Sequence, residues 1–184
     1  MKNKRLLQIL IPIVILAVIG GLYLMKNNER QAAQARQEAL TADNPAFRLI
    51  ETSVDLEGYL SHKLPVIMDF GAEDCAPCQV MKPALEKAHA QNIGRAVIKF
   101  FDVWEHPELA GDYPIMVIPT QVLFNADGTP YKPSEKVEQA GLKFDFYNLQ
   151  GTEDHALTVH VGILDDEAFE LILADMGVSN ERDT

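Results

Sequence analysis

Apolar and polar positions change rhythm along this chain, and each change predicts an element. Leu6 to Met25 is an uncharged, almost wholly apolar run in which Gln8 is the one strongly polar member. Its length matches the ~20 residues that a helix needs to cross a bilayer. Asn27 to Asn44 is polar and rich in Ala and Gln, which favour helix, and reads as a spacer. Beyond it the pattern becomes that of a packed domain. Phe47 to Glu51 reads as a short first strand. Thr52 or Ser53 caps a helix through His62, with Leu56 and Leu60 on one face, and Leu64-Pro65 stops it. Val66 to Phe70 is a buried-type strand. A helix follows Cys78, with Met81, Leu85 and Ala88 on one face, kinked by Pro83 and ended by Asn92 to Gly94. Ala96 to Val103 is the next strand, and His106-Pro107-Glu108 opens a short helix to Gly111. Ile115 to Phe124 is strand-like but contains Pro119, which a central strand tolerates only for a special purpose such as a cis peptide bond. Asn125 to Gly128 signals a hairpin turn. The last helix is capped by Asp165 or Asp166, buries Phe169, Ile172, Leu173 and Met176, and closes at Gly177.

These elements divide the chain into an N-terminal tip and transmembrane anchor (1–26), a linker (27–45), one domain of ordinary size (46–178) and a loose tail (179–184). Lys2, Lys4 and Arg5 precede the apolar run, so the short N-terminus stays cytoplasmic and the domain lies outside, as a single-pass protein of the cell membrane facing periplasm or cell surface. A cleaved signal peptide is the alternative. The run is longer than a usual signal core and no A-x-A site directly follows it, which favours the anchor; both readings put the domain outside the cytoplasm. Charge narrows the partners. Four of the 16 basic residues lie in the first 26 positions and no acid does, which leaves 12 basic against 27 acidic residues beyond. So acidic a domain does not suit nucleic acid or anionic lipid heads.

The chemistry sits in Asp74-Cys75-Ala76-Pro77-Cys78, which holds both cysteines of the chain. A strand, then C-x-x-C, then a helix is a redox-dithiol pattern. At a helix N-terminus the unpaired N–H groups and the dipole stabilise a thiolate on Cys75, and the thiolate is the reactive form. Cys78, one turn on, can displace a bound partner by closing the ring. A structural disulfide closing so small a loop would constrain little of the unfolded chain. A zinc site lacks its further ligands, and copper(I) chaperoning by the same two thiols is the weaker alternative. No metal or cofactor is implied. His106, His155 and His160 show no ligand spacing and read as surface or packed histidines, Met68, Met81 and Met116 read as core, and Trp104 packs near the end of the third strand or lies near the dithiol face.

Taken together, Ala46 to Gly177 resembles thioredoxin. Asp69 stands six residues before Cys75, where that family keeps a buried acid, and Pro83 stands five after Cys78, where it keeps a kinking proline. Lys99 matches a lysine near the acid, Ile118-Pro119-Thr120 a cis-proline loop against the dithiol, and Val161-Gly162 the final strand and turn. The resemblance implies an α/β thioredoxin fold, a central mixed sheet flanked by helices, here with an N-terminal transmembrane helix and an insert before the last strand. It implies that Cys75 is the exposed nucleophile, Cys78 the resolving thiol and the two a disulfide when oxidised. Asp69 would exchange a proton with Cys78, Lys99 would modulate Asp69, and cis Pro119 would expose the backbone of Ile118. Ile118, Thr120, Ala76 and Pro77 would meet the substrate.

Three departures qualify the likeness. Asp74 replaces the tryptophan before the dithiol, and a carboxylate there opposes thiolate formation. Ala76-Pro77 lacks the histidine of the strong oxidants; both features lean towards a reducing pair. Residues 129–158 separate strands that thioredoxin joins tightly, and alternation in Phe144-Asp145-Phe146-Tyr147 predicts an extra strand. This insert is a partner surface or, preferably, an elaborated hairpin. The expected function is a monomeric, membrane-tethered reductase of protein disulfides, re-reduced by a membrane electron donor, with an oxidase or isomerase using the same dithiol as the nearest rival.

Overall fold

A computed structural model describes residues 19–21, 41 and 45–179 of the chain. Nearly all of the apolar run assigned to an anchor, almost all of the linker and residues 180–184 of the tail lie outside them. Among the described residues no helix is long and apolar enough to cross a membrane. The chain divides at Asp43/Asn44, and everything below belongs to the second unit.

The elements in order are α1 (Leu56–Ser61), β1 (Val66–Gly71), α2 (Ala76–Asn92), β2 (Val97–Asp102), β3 (Thr120–Phe124), α3 (Glu135–Gln139), β4 (Phe144–Asn148), β5 (His155–Val161) and α4 (Asp166–Asp175), with short 3-10 turns at Pro45–Phe47 and Pro107–Ala110. One mixed sheet runs β2-β1-β3-β5-β4. β1 is parallel to β2 and antiparallel to β3, and β3–β5 and β5–β4 are antiparallel.

Side chains alternate across a strand, so each strand feeds two cores. Ile67, Ile98 and Leu123 join Met81 and Leu85 of α2 and Phe169 of α4 on one face. Met68, Phe70, Val97, Phe101 and Val122 join Tyr59 of α1 on the other. All six residues of β1 are buried. Burying a side chain such as Val66, Ile67, Met68 or Phe70 stabilises by roughly 1.5–3 kcal/mol, which offsets the cost of enclosing Asp69 among them.

Several expectations need correction. Phe47 to Glu51 does not form a strand. After the 3-10 turn only Ile50 bridges Phe100, held by the Phe100 N–H to Leu49 O (2.7 Å) and the Glu51 N–H to Phe100 O (3.1 Å). The first helix begins later than Thr52 or Ser53 implies, because Asp55 is its cap and accepts the Gly58 N–H at 3.0 Å. A Cβ on Gly58 would stand 2.2 Å from Asp55 Oδ2, so a side chain there would push the cap carboxylate aside. Ile115 to Ile118 is loop rather than strand. The Ile118–Pro119 peptide bond is cis and proline has no N–H for the ladder, so β3 starts at Thr120. Met116 is consequently 88% exposed and not core, and Trp104 is 61% exposed rather than packed.

The insert is an elaboration of the sheet edge. The turn over Asn125 to Gly128 forms, with Gly128 at φ +85° and the Gly128 N–H on Asn125 O (2.9 Å), but the chain pairs back only once, between Phe124 and Pro130. Tyr131 is buried and its hydroxyl donates to Asp175 Oδ2 at 2.6 Å, tying the insert to α4. The helix α3, which the sequence reading lacked, follows. The strand expected at Phe144 to Tyr147 is β4, laid outside β5.

Candidate functional site

Cys75 ends the loop after β1 and is the N-cap of α2; the Cys78 N–H donates to its Sγ at 3.3 Å. Pro77 occupies the first turn, where a missing N–H costs nothing. Cys75 and Cys78 are joined as a disulfide. The loop is held from outside by Asp102 at the end of β2, whose carboxylate accepts N–H groups from Glu73, Trp104 and Glu105, each at 2.9 Å. Partial burial pulls the Asp102 carboxyl up, but the N–H groups of Glu105, Glu73 and Trp104 together outweigh it and hold it below the usual range. Gln79 Nε2 donates to Glu73 O (2.9 Å), and the exposed Lys82–Glu73 pair (2.8 Å) adds little in water.

The expectation of an exposed nucleophile is not met in the oxidised pair. Cys75 is 4% exposed and Cys78 5%, packed with Ala72 under the half-buried Ile118. What separates them is position: only Cys75 receives the helix N–H and lies against the cis-proline loop, with Sγ 3.9 Å from Ile118 O. Ala76 and Pro77 are exposed beside the disulfide. Thr120 is not a contact surface. It is 1% exposed and its hydroxyl donates to Val117 O at 2.7 Å, fastening the loop.

Asp69 lies beneath the dithiol, 0% exposed. Gln121 Nε2 donates to its Oδ1 at 2.7 Å, while Oδ2 is, among the described residues, the one buried side-chain oxygen or nitrogen without a hydrogen-bond partner. Burial pushes its carboxyl up to about 7, against the opposing pull of the Gln121 hydrogen bond. Asp69 and Cys78 line one cavity of about 60 Å³, walled also by Leu49, Ile50 and Phe100. That is room for a few waters, since each needs roughly 10–15 Å³. Gly71 keeps this space open: a Cβ there would meet Phe100 Cε2 at 2.8 Å and Cys78 Sγ at 3.4 Å.

Lys99 does not modulate Asp69. Asp69 pairs with Phe100 and Lys99 with Met68, so alternation sends the two side chains to opposite faces of the sheet. Lys99 Nζ instead donates to Arg48 O (2.6 Å) and Glu51 Oε1 (2.7 Å) and lies 5.0 Å from the Tyr59 ring centroid. Desolvation lowers its pKa, with Glu51 opposing. The partner that does reach Asp69 is Gln121, and behind it His160, whose Nδ1 is 2.7 Å from Gln121 Oε1. His160 is packed, one of the two readings its sequence context allows, but neither it nor Gln121 is marked by the sequence as a partner of the acid. The available signal was an amide directly before the apolar run Val122-Leu123-Phe124, within the strand-like stretch Ile115 to Phe124. Among the described residues no cluster of three or more His, Cys, Asp or Glu could hold a metal ion.

With this geometry in place, comparison with known proteins is informative. The family model described as Thioredoxin matches residues 49–146, more than half of the chain. Thioredoxin of Alicyclobacillus acidocaldarius subsp. acidocaldarius is 32% identical over 93 residues, which is 47% of this chain and 88% of that protein. The mitochondrial thioredoxin of Mus musculus is 31% identical over 104 residues, covering 55% of this chain and 58% of that one. The thioredoxin of Mycobacterium tuberculosis is 37% identical over 73 residues, or 40% and 62%. This chain therefore spans less than two thirds of the last two relatives.

Proposed function

We propose, from the premise that the chain belongs to the thioredoxin family, that it is a membrane-tethered thiol–disulfide oxidoreductase that reduces protein disulfides outside the cytoplasm. The observation that carries the exchange chemistry is the Cys75–Cys78 disulfide at the α2 N-terminus over a buried, partner-poor carboxyl. In the reduced protein a Cys75 thiolate, held by the Cys78 N–H, attacks a substrate sulfur. The substrate S–S bond breaks, one substrate thiol leaves, and a mixed disulfide remains. Asp69 takes the proton of Cys78 through the shared cavity, and the Cys78 thiolate attacks Cys75 Sγ. The second substrate thiol leaves and the protein is oxidised by two electrons, in the state seen here. The loop at cis Pro119 supports docking of an extended substrate segment on Ile118, next to Cys75.

Direction and place rest on further features. Asp74 beside Cys75 and the absence of histidine between the cysteines favour the reducing direction. Leu6 to Met25 with Lys2, Lys4 and Arg5 supports the tether and the outside location. A domain so placed has a membrane electron carrier as its natural reductant. Equilibration of the dithiol with glutathione or dithiothreitol buffers tests the direction. A potential near ~−270 mV supports the reductase, and one near ~−120 mV makes the protein a disulfide donor instead. Protease accessibility of the domain in intact cells tests the location.

A further inference from the structure

Gln121 is an amide in a strand whose five residues are all buried. Such a group is tolerated only when its hydrogen bonds are made. Its Nε2 faces acceptors alone: Asp69 Oδ1 at 2.7 Å, Gly162 O at 3.4 Å and Met81 Sδ at 3.5 Å. That surround fixes which end of the amide is nitrogen, and so Oε1 faces His160 Nδ1 at 2.7 Å. An oxygen there requires a proton on Nδ1. His160 stands opposite Gln121 across β3–β5 and opposite Phe144 across β5–β4. The Phe144 ring, from the insert, lies with its centroid 5.6 Å from that of His160, which is 6% exposed.

We propose that Gln121 and His160 are positioning residues that hold Asp69 Oδ1 as a permanent acceptor, so that the proton exchanged with Cys78 resides on Oδ2 alone, and that strand β4 of the insert is the cover that keeps His160 a neutral Nδ1–H donor. The competing arrangement has the amide reversed, with Oε1 accepting from a protonated Oδ1 and His160 carrying its proton on Nε2. It would set Oε1 against Gly162 O and Met81 Sδ, and it would turn the acid's proton away from the orphaned oxygen. Burial pushes His160 down to about 4, so it stays neutral while Asp69 titrates near 7. The cation that lines the Asp69 cavity, Lys82, is paired with Glu73 at 2.8 Å. Around Asp69, β3 brings Gln121 and β2 brings Phe100, Lys99 is on the far face, and Glu73, Lys82 and Glu86 stand at the cavity. Around His160 stand Gln121 and Phe144.

The inference gives the exchange reaction proposed above its proton geometry, and its test does not depend on that reaction. In the oxidised wild-type full chain, long-range 1H–15N correlation reads the His160 tautomer, and the 13C carboxyl shift reads the ionisation of Asp69. The expected result is an Nδ1–H tautomer unchanged as Asp69 titrates. An Nε2–H tautomer, or a protonated His160 at neutral pH, overturns the proposal. Gln121→Leu removes the hydrogen bond that favours the carboxylate, and should raise the Asp69 midpoint by about one pH unit or more. His160→Phe should move it the same way, and His160→Asn, which keeps an N–H near the place of Nδ1, should restore it. Variants that fold, lose thermal stability and leave the midpoint where it was would reduce the pair to packing. Should a variant fail to fold, the wild-type tautomer still decides. A protein that reduces no disulfide, yet shows these titrations, refutes the proposed function and not this arrangement.

Discussion

Replacing Asp69 by asparagine should make the protein more stable at alkaline pH and leave it little changed in acid. The unfolded chain holds an ordinary aspartate, whereas the folded one holds a carboxyl raised from 3.8 to about 7 by burial. Well below the unfolded value of 3.8 both states keep the proton. As pH rises the unfolded chain releases it first and the native state goes on binding more protons, so stability falls until the folded carboxyl ionises too. Three pKa units at roughly 1.4 kcal/mol each amount to about 4 kcal/mol lost by pH 8, an upper bound for so buried a group. The asparagine side chain cannot ionise. Its carbonyl oxygen, in the place of Oδ1, still accepts from Gln121 Nε2, and its amide nitrogen inherits the partnerless place of Oδ2, a cost that does not vary with pH. Urea unfolding of the oxidised wild type and Asp69→Asn at matched pH values from about 4 to about 8.5 measures the difference. The buried His89 and His160 titrate low, so their stability is lost as pH falls, and they cancel in the comparison. The expected gap grows with pH by a few kcal/mol. A gap that is flat across the range refutes a raised Asp69 carboxyl and the proton transfer built on it.

Lys99→Met should destabilise by about 3 kcal/mol, because it leaves Glu51 desolvated without its ion-pair partner, and adding Glu51→Gln should recover much of the loss. The same substitution should leave the pH profile of disulfide exchange where it is, since Lys99 lies across the sheet from Asp69; a shifted profile would restore the role that the resemblance implied. Cys78→Ser should accumulate a mixed disulfide with a protein substrate, visible as a non-reducing gel shift, whereas Cys75→Ser should not. The two residues are almost equally covered, so the difference tests whether the helix-capping position of Cys75 decides the nucleophile. Equal trapping by both variants would refute that.

The strongly patterned elements are legible in the sequence itself. β1, α2, β2 and α4 carry runs whose period and end signals agree, and Met81, Leu85 and Ala88 are buried together as their spacing required. Pro119 in an apolar run pointed to the cis bond that forms. What escaped was register. A lysine one position out of phase with the acid's neighbour looks equivalent along the sequence, yet a shift of one residue sends a strand side chain to the other face. Lys99 therefore matched by position and failed by geometry. Gln121 and His160 escaped for a related reason: they lie 39 positions apart and become neighbours only through the β3–β5 register. Met116 misled because a hydrophobic residue beside a strand looks like one within it until the proline fixes where the ladder begins.

The placement of the carboxyl and of its controls follows from one topological fact. β1 is flanked by strands on both sides, and both of its faces are buried, so any polar group on it must find its partners within the protein. On the β2 side the residue paired with Asp69 is Phe100, which offers none. The β3 side offers Gln121, and β3 lies next to β5, which carries His160. In a sheet that ended at β5, that histidine would stand on an edge strand, open to water and to protonation. Adding β4 moves the edge outward by one strand and sets Phe144 over the ring. An insert far from the cysteines in sequence thus bears on their chemistry without touching them, by deciding whether the last donor in the chain to Asp69 is neutral or charged.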